Sequence, residues 1–535
     1  MPIRMPDWLA QRAATHSDHI ALVCEGRSLT FADLARSAAT YDSYLCSMLA
    51  SHPGGNPVAA GSSEHPSVAT LLPSCPELVA LAHAVPRRGR ILVPLGNRLE
   101  AAEIGPMLRR SGCSALLFDD STRSLVDRLP AITGLQLIHV DEAGARPTVE
   151  PIRDEDRQAS PLDLDSTHTI VFTSGTTGTS KGVRLTWGNH FFSAAASAFN
   201  LGISPADRWL LCLPLHHVGG LSVLTRSVLY GTTVDLHRRF DPRAVNRAID
   251  EYGVTIVSVV ANMMRRMLDA RGSVPYPSSL RAILIGGGPV PSSLAADCYE
   301  RGVPILPTYG LTETASQIAT AAPPPAAPAP TGSVGKPLLS VEVRVVDGHG
   351  EPVACGTAGE IQVRGPMVSP GTLGQGPRAA GSWLSTRDYG SLGSDGFLYV
   401  EGRFDDTVIS GGENVHPGEI ERVLDLHPRV IEAFAAGMPD PRWGEVVYAA
   451  VRGNGPVDEA ELIAHCRTHL AQFKVPVRIV VVADFPRTAS GKIARAETSA
   501  EIVEMILPGA LDEPHGNTLD RPPREIAAKH KNDDS

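Results

Sequence analysis

A chain of 535 residues is too long for one compact hydrophobic core, so two or more domains are expected. Its 43% hydrophobic and 20% charged residues describe an ordinary globular protein, and a formal net charge of -10 argues against a broad nucleic-acid or anionic-membrane surface. No run of about 18 uninterrupted apolar residues offers a membrane span, and eight scattered cysteines without a CxxC pair point to a reducing, cytoplasmic compartment.

The N-terminal stretch Met1–Asp18 reads as a capped amphipathic segment, not the apolar core of a signal peptide. As far as about residue 320, short β-branched runs alternate with Ala/Leu/Arg-rich stretches of helical period. Thr169–Phe172, Thr232–His237, Thr255–Val260, Arg281–Gly286 and Val303–Gly310 are the strand candidates. Such alternation predicts layered α/β architecture with largely parallel sheets, whose binding loops lie beyond the carboxyl ends of the strands. The loops Thr173–Gly182, Gly286–Pro289 and Thr308–Thr314 each follow a strand candidate and are expected to converge on one crevice.

The proline-rich segment Ala321–Ser333 can continue neither a helix nor a central strand and reads as a loop. Beyond it, Val341–Asp347, Gly359–Gly365 and Gly396–Arg403 alternate like strands of a small barrel or β subdomain. From about Gly402 a compact α+β unit follows, and from about Ile506 the chain carries Pro, Gly and mixed charge, the composition of a disordered tail. The expected fold is thus α/β: a large multi-subdomain N-terminal domain (1–401) of layered α/β sheets plus a β subdomain, a small mobile α+β C-terminal domain (402–505), and a tail (506–535).

The stretch "TSGTTGTSKG", Thr173–Gly182, combines three glycines, a string of hydroxyls and a lysine. Glycines let backbone amides close on an anion as a nest. Ser174, Thr176 and Thr177 add hydroxyl donors and Lys181 a compact positive charge. Lys181 is followed by Gly182, so the Walker pattern is not met.

This loop resembles the phosphate loop of the acyl-adenylate-forming (AMP-binding) superfamily. "YGLTET" (Tyr309–Thr314), "STRDYG" (Ser385–Gly390), "GRFDDTVISGGENVHPGEIE" (Gly402–Glu421) and "PRTASGKIAR" (Pro486–Arg495) resemble its other core motifs, in the same order. The resemblance implies a phosphate and nucleotide site built from Thr173, Ser174, Gly175, Thr176, Thr177, Gly178, Lys181, Gly286, Gly287, Gly288, Tyr309 and Gly310. In it Tyr309 would stack on adenine, Asp388 would hold the ribose hydroxyls and Arg403 would assist at ribose or phosphate. It makes Glu313, of the Thr312–Glu313 pair, the Mg²⁺ ligand and Lys492 the adenylation lysine. Asp405 falls at the hinge position, and Gly411, Gly412 and Glu413 line a coenzyme A channel. The chemistry is coherent: joining a carboxylate to the α-phosphate of ATP brings two anions together, so the site must supply cations and donors.

The segment Asn189–Asp241 and the extension of "YGLTET" through Ser316 and Gln317 are similar to o-succinylbenzoate–CoA ligases of menaquinone biosynthesis. That likeness implies His217 as the pocket histidine, with Arg226 and Ser316 serving the second carboxylate of a dicarboxylic substrate. Four departures stand out: His216 where an aromatic is usual, Gly219 where a small hydroxyl residue is common, Arg387 for a glycine, and Thr372 for a tyrosine. The implied activity is that of an acid–thiol ligase using ATP, Mg²⁺ and coenzyme A, with small-molecule partners and no nucleic acid. The oligomeric state stays open. A CoA ligase for another aryl or aliphatic acid in secondary metabolism is the first alternative, and His216 and Gly219 favour it. A stand-alone domain loading a carrier protein and a non-catalytic adenylate-binding regulator are the others; retention of both Glu313 and Lys492 argues against the regulator.

Overall fold

The computed structural model describes residues 3–50, 66–140, 161–173, 180–324, 328–410, 413–440, 442–488 and 491–506. The contacts divide the chain into two compact units. One comprises Met1–Asp405 with Arg487–Lys492, the other Asp406–Pro486 with the residues from Ile493 onward.

Two large sheets organise the first unit. In the nine-stranded sheet the interior strands Thr233–Leu236, Arg208–Leu211, Ile256–Val259, Ala282–Ile285 and Ile305–Leu311 run parallel. All residues of Ile256–Val259 and Ala282–Ile285 are buried. A parallel strand covered on both faces needs apolar residues throughout, hence runs such as Ala282–Ile285. The seven-stranded sheet orders Lys181–Thr186, Thr167–Thr173, Ile91–Pro94, Ser67–Leu71, Cys113–Phe118 and Gln136–His139, with Gly371–Thr372 on the Lys181 edge. One core joins these sheets: Val68, Leu92 and Val171 from one, Leu22, Trp209 and Ile256 from the other, with Leu81, Val223 and Leu224 from helices. About 25 cal/mol per Å² of apolar surface removed from water makes this layering the main stabilising term.

Two helices matter for the site. Trp187–Leu201 starts on a capping box, with the Thr186 hydroxyl accepting from Asn189 N and the Asn189 side chain accepting from Thr186 N. Val218–Tyr230 ends on Gly231 in the left-handed conformation.

The segment after the proline-rich loop is not a barrel. Glu342–Val346, Gly359–Arg364, Leu384–Leu392 and Leu398–Arg403 form a four-stranded antiparallel sheet. The "STRDYG" motif lies inside its third strand, whose buried and exposed residues alternate as a half-covered strand requires. In the second unit Val408–Ser410, Glu413–Val415, Val430–Asp440, Gly444–Gly453 and Arg478–Val481 make one sheet, and Pro417–Asp425, Glu459–His469 and Arg495–Ile506 are its helices. Its core is Ile420, Leu424, Ala435, Val447, Leu462 and Ile479. Residues 507–535, nearly all of the expected tail, lie outside the described residues. All eight cysteines are free thiols, six of them buried, and no described helix is long and apolar enough to cross a membrane.

Candidate active site

Three adjacent parallel strands deliver two of the three predicted loops together. Val259 lies opposite Ile285, and Ile285 opposite Pro307, so Gly286–Gly288 emerge beside Thr308–Thr314. The approach is close: a Cβ on Gly286 would come 2.7 Å from Thr308 Cγ2. Gly287 holds φ +83°, and a Cβ there would stand 3.0 Å from Lys492 Cε. Ile305–Leu311 then turns back antiparallel as Ser316–Thr320, with a register shift between Tyr309 and Gly310. A Cβ on Gly310 would sit 1.7 Å from the Ser316 carbonyl oxygen, so only glycine fits.

The turn of that hairpin holds Thr312, Glu313 and Thr314 in one 3-10 turn. The Glu313 carbonyl accepts from Ser369 N at 2.7 Å. Its half-buried carboxylate forms no hydrogen bond or ion pair with any described residue. An unengaged carboxylate suits a hard cation, and Glu313 fits a magnesium ligand on that ground. Among the described residues no group of three or more His, Cys, Asp or Glu could hold a metal, so phosphate and water oxygens would complete the coordination.

Asp388 faces Arg403 directly across the ladder. It is 5% exposed, and its Oδ1 accepts from Arg403 Nη1 at 2.9 Å and its Oδ2 from the Tyr309 hydroxyl at 2.5 Å. Burial raises the Asp388 pKa, against the pull of Tyr309 and Arg403. The Tyr309 ring lies in the core with Ile318, Ile361 and Leu398, so its hydroxyl orients Asp388, a link that motif spacing did not signal. Arg387 adopts φ +58° with its side chain exposed. That left-handed backbone explains why glycine suits the position. Lys492 closes a turn in which Thr488 N donates to its carbonyl at 2.8 Å. Burial lowers its pKa; Asp388 opposes that and Arg403 adds to it.

The Val218–Tyr230 helix carries the predicted acyl-pocket residues. His217 stands at its N-cap without a side-chain capping bond. Burial first, then Lys492, pushes its pKa down to about 4. The adjacent His216 ring is 4.3 Å away and falls to about 3 through burial, His217 and Arg98. Both imidazoles are therefore neutral near pH 7. A Cβ on Gly96 would come 3.0 Å from His216 Nε2. Gly219 makes no such close approach; a Cβ there would meet only Leu213 Cδ1, at 3.6 Å. Arg226, on the buried face, is 3% exposed. Its Nη2 donates to Ser316 Oγ at 3.4 Å, its guanidinium lies 5.6 Å from the Trp209 ring centroid, and its Nε has no partner among the described residues.

Thr173 and Lys181 pair across an antiparallel ladder, the last pair before the predicted phosphate loop that connects the two strands. This hairpin belongs to the seven-stranded sheet, whereas Ala282–Ile285 and Ile305–Leu311 belong to the nine-stranded one. The gap between its strands is too short for a parallel crossover, which needs a dozen or more residues. Ser174, Gly175, Thr176, Thr177 and Gly178 lie outside the described residues, as do Gly411 and Gly412. Thr372, a departure from the likeness, pairs with Val183 and donates its hydroxyl to Gln375 Oε1 at 2.9 Å. Asp405 lies in the 3-10 turn Phe404–Asp406, where the two units divide. Glu413 begins an exposed end of Glu413–Val415 in the small unit.

Residues 9–373 match the AMP-binding enzyme family and residues 419–492 the AMP-binding enzyme C-terminal domain. The 2-succinylbenzoate–CoA ligase of Geobacillus kaustophilus (strain HTA426) is 42% identical, over 92% of this chain and 97% of its own. That of Bacillus subtilis (strain 168) is 39% identical, over 92% and 98%. The solved o-succinylbenzoate CoA synthetase of Bacillus subtilis with its acyl-adenylate intermediate superposes with a TM-score of 0.79 at 37% identity, covering 92% of this chain and 98% of that one. The same enzyme with ATP and magnesium ion gives a TM-score of 0.80 at 37% identity, covering 93% and 100%.

Proposed function

The chain belongs to the AMP-binding enzyme family, and we propose that within it the protein is an ATP-dependent acid–CoA ligase acting on o-succinylbenzoate, on the route to menaquinone. The relatives named for that ligase, matched over nearly their whole length, support the reaction class. One observation carries the choice of acid. Arg226 is a buried guanidinium with no carboxylate partner among the described residues, and a buried charge left unpaired costs several kcal/mol, on the order of 3–5. A substrate with a second carboxylate supplies the missing anion.

The reaction divides in two. The carboxylate oxygen of the substrate attacks the α-phosphorus of ATP, the bond to the β-phosphate oxygen breaks, and pyrophosphate leaves. The thiol sulfur of coenzyme A then attacks the acyl carbon, giving up its proton as AMP departs. Gly286–Gly288 leave room for the base, Asp388 accepts from the ribose hydroxyls, and Tyr309 and Arg403 fix Asp388. Lys492 donates to the oxygens on which charge gathers in the first step. Thr173, Lys181 and the loop between them hold the outer phosphates, and the neutral His217 orients the acyl group. Glu313 would hold magnesium, which when bound screens the phosphate charge. Asp405 serves as the hinge between half-reactions, with Gly411, Gly412 and Glu413 on the pantetheine path.

Pyrophosphate release measured over a panel of acids, with and without coenzyme A, tests this. Turnover on o-succinylbenzoate that yields its thioester is the expected result. Release with another acid would leave the chemistry and remove the substrate, and no release with any acid would overturn both.

A further inference from the structure

Arg226 has an unusual setting for a buried cation, and a buried histidine on the neighbouring helix, His190, which feels its charge, is not among the residues the reaction has used. The helices Trp187–Leu201 and Val218–Tyr230 converge on one turn. Ser193 Oγ donates to the Ala315 carbonyl at 2.9 Å, and Arg226 reaches the next residue, Ser316. His190 lies one turn before Ser193 on the same face of its helix. It is 2% exposed, and its Nε2 is 2.9 Å from Thr169 Oγ1.

Among the described residues several buried polar atoms around this layer have no partner, His168 Nδ1, Ser197 Oγ and Gln317 Oε1 among them; the two that concern the arginine are His190 Nδ1 and Arg226 Nε. They are complementary. Arg226 Nε–H can only donate. Beside a cation, the imidazole tautomer with its proton on Nε2, donated to Thr169, leaves a lone pair on Nδ1. His168, with its ring 4.8 Å from that of His190, brings no charge either. Burial and Arg226 push the His190 pKa down to about 4, so the ring is neutral at pH 7. The Tyr230 hydroxyl, on the helix of Arg226, is spent on the Ala194 carbonyl.

We propose that His190 is a positioning residue for Arg226: its Nδ1 takes the guanidinium Nε–H over one bridging water, fixing the orientation of the cation without neutralising it. A carboxylate at this place would also hold the arginine, but would compete with the substrate for its charge. A neutral acceptor holds it and leaves the two terminal nitrogens for the incoming anion. Such a water has the polar partners it needs in the two open atoms, with Ser316 Oγ nearby. The proposal rests on the reading of Arg226 as the counter-ion of the remote substrate carboxylate.

The test compares three substitutions with two substrates: o-succinylbenzoate and its monocarboxylic analogue 4-oxo-4-phenylbutanoate. His190→Gln keeps a polar atom near the Nε2 position for Thr169 and loses the one at Nδ1. His190→Asn keeps an acceptor near the Nδ1 position and loses the Thr169 link. If the proposal holds, His190→Gln raises KM for the dicarboxylate about tenfold, the effect of one charge-assisted hydrogen bond. It leaves kcat and the KM of the analogue within about twofold, and His190→Asn returns KM for the dicarboxylate toward the parent value. Equal effects of Gln and Asn, or equal effects on both substrates, would overturn it. Arg226→Ala separates the two levels. If it discriminates the substrates while His190→Gln does not, only the positioning role fails; if it too fails to discriminate, the counter-ion reading fails first.

Discussion

Burial works against the charge on Lys492 and Asp388 works for it, so the ammonium sits in a place where an added anion changes the balance most. During adenylation the entering carboxylate and the α-phosphate supply that anion. A unit charge about 4 Å away contributes about 4 kcal/mol at an effective dielectric near 20, before desolvation. Each 1.36 kcal/mol is about tenfold in rate, so the expected loss for Lys492→Ala is about 10²- to 10³-fold in acyl-adenylate formation. Transfer from preformed acyl-adenylate to coenzyme A should stay within about tenfold, because the pyrophosphate has gone. Single-turnover assays of each half-reaction measure the two separately, and a similar loss in both would remove Lys492 from the first step. The residue was legible from its motif; its electrostatic neighbours Asp388 and Arg403, far away in sequence, were not.

At the scale of elements, the hairpin Ile305–Leu311/Ser316–Thr320 fixes much of the site through one glycine. With 1.7 Å between a Cβ on Gly310 and Ser316 O, backbone must move for any side chain. Ala315 and Ser316 already hold φ +51° and +117°, so little slack remains. Gly310→Ala is expected to destabilise by about 3 kcal/mol and to abolish adenylation, because Tyr309 and Glu313 flank the displaced strand. Urea denaturation followed by tryptophan fluorescence checks it; a loss under about 1 kcal/mol would mean that the turn can relax. Arg387 presents the opposite case, a side chain on a left-handed backbone at an exposed position. Arg387→Gly should stabilise by about 0.5–1 kcal/mol, relieving strain at a small entropic cost in the unfolded chain. A loss of stability would mean that the contacts of the arginine side chain outweigh the strain of its backbone.

Across the whole molecule, local pattern and long-range pairing were unequally legible. The run Ala282–Ile285 was readable because a strand covered on both faces has no polar positions to blur it, and Ile256–Val259 differs from that pattern by one buried serine. The Leu384–Leu392 strand, alternately buried and exposed, was read as a motif and not as a strand. Nothing in its residues states that it will pair with Leu398–Arg403 and set Asp388 against Arg403. The row of histidines in the core was missed for the same reason: His83, His168 and His190 come from three elements and meet only in the fold. Their consequence is global. Burial lowers the pKa of His83 and His190 to about 4, and that of His168 well below its ordinary value. In the unfolded chain each titrates near 6.5. Between pH 6.5 and 4 the unfolded state therefore binds more protons than the folded one, and stability rises with pH across that window. It is fully present above pH 6.5 and is lost as the pH falls toward 4. His190 alone, lowered by burial to about 4, accounts for about 3 kcal/mol of that loss. Urea midpoints at pH 7.5 and pH 5 should separate clearly in the parent protein. In His190→Gln, which carries no titrating ring, they should separate less. If the variant shows the same pH slope as the parent, His190 does not fold as a buried neutral imidazole, and the setting assigned to Arg226 falls with it.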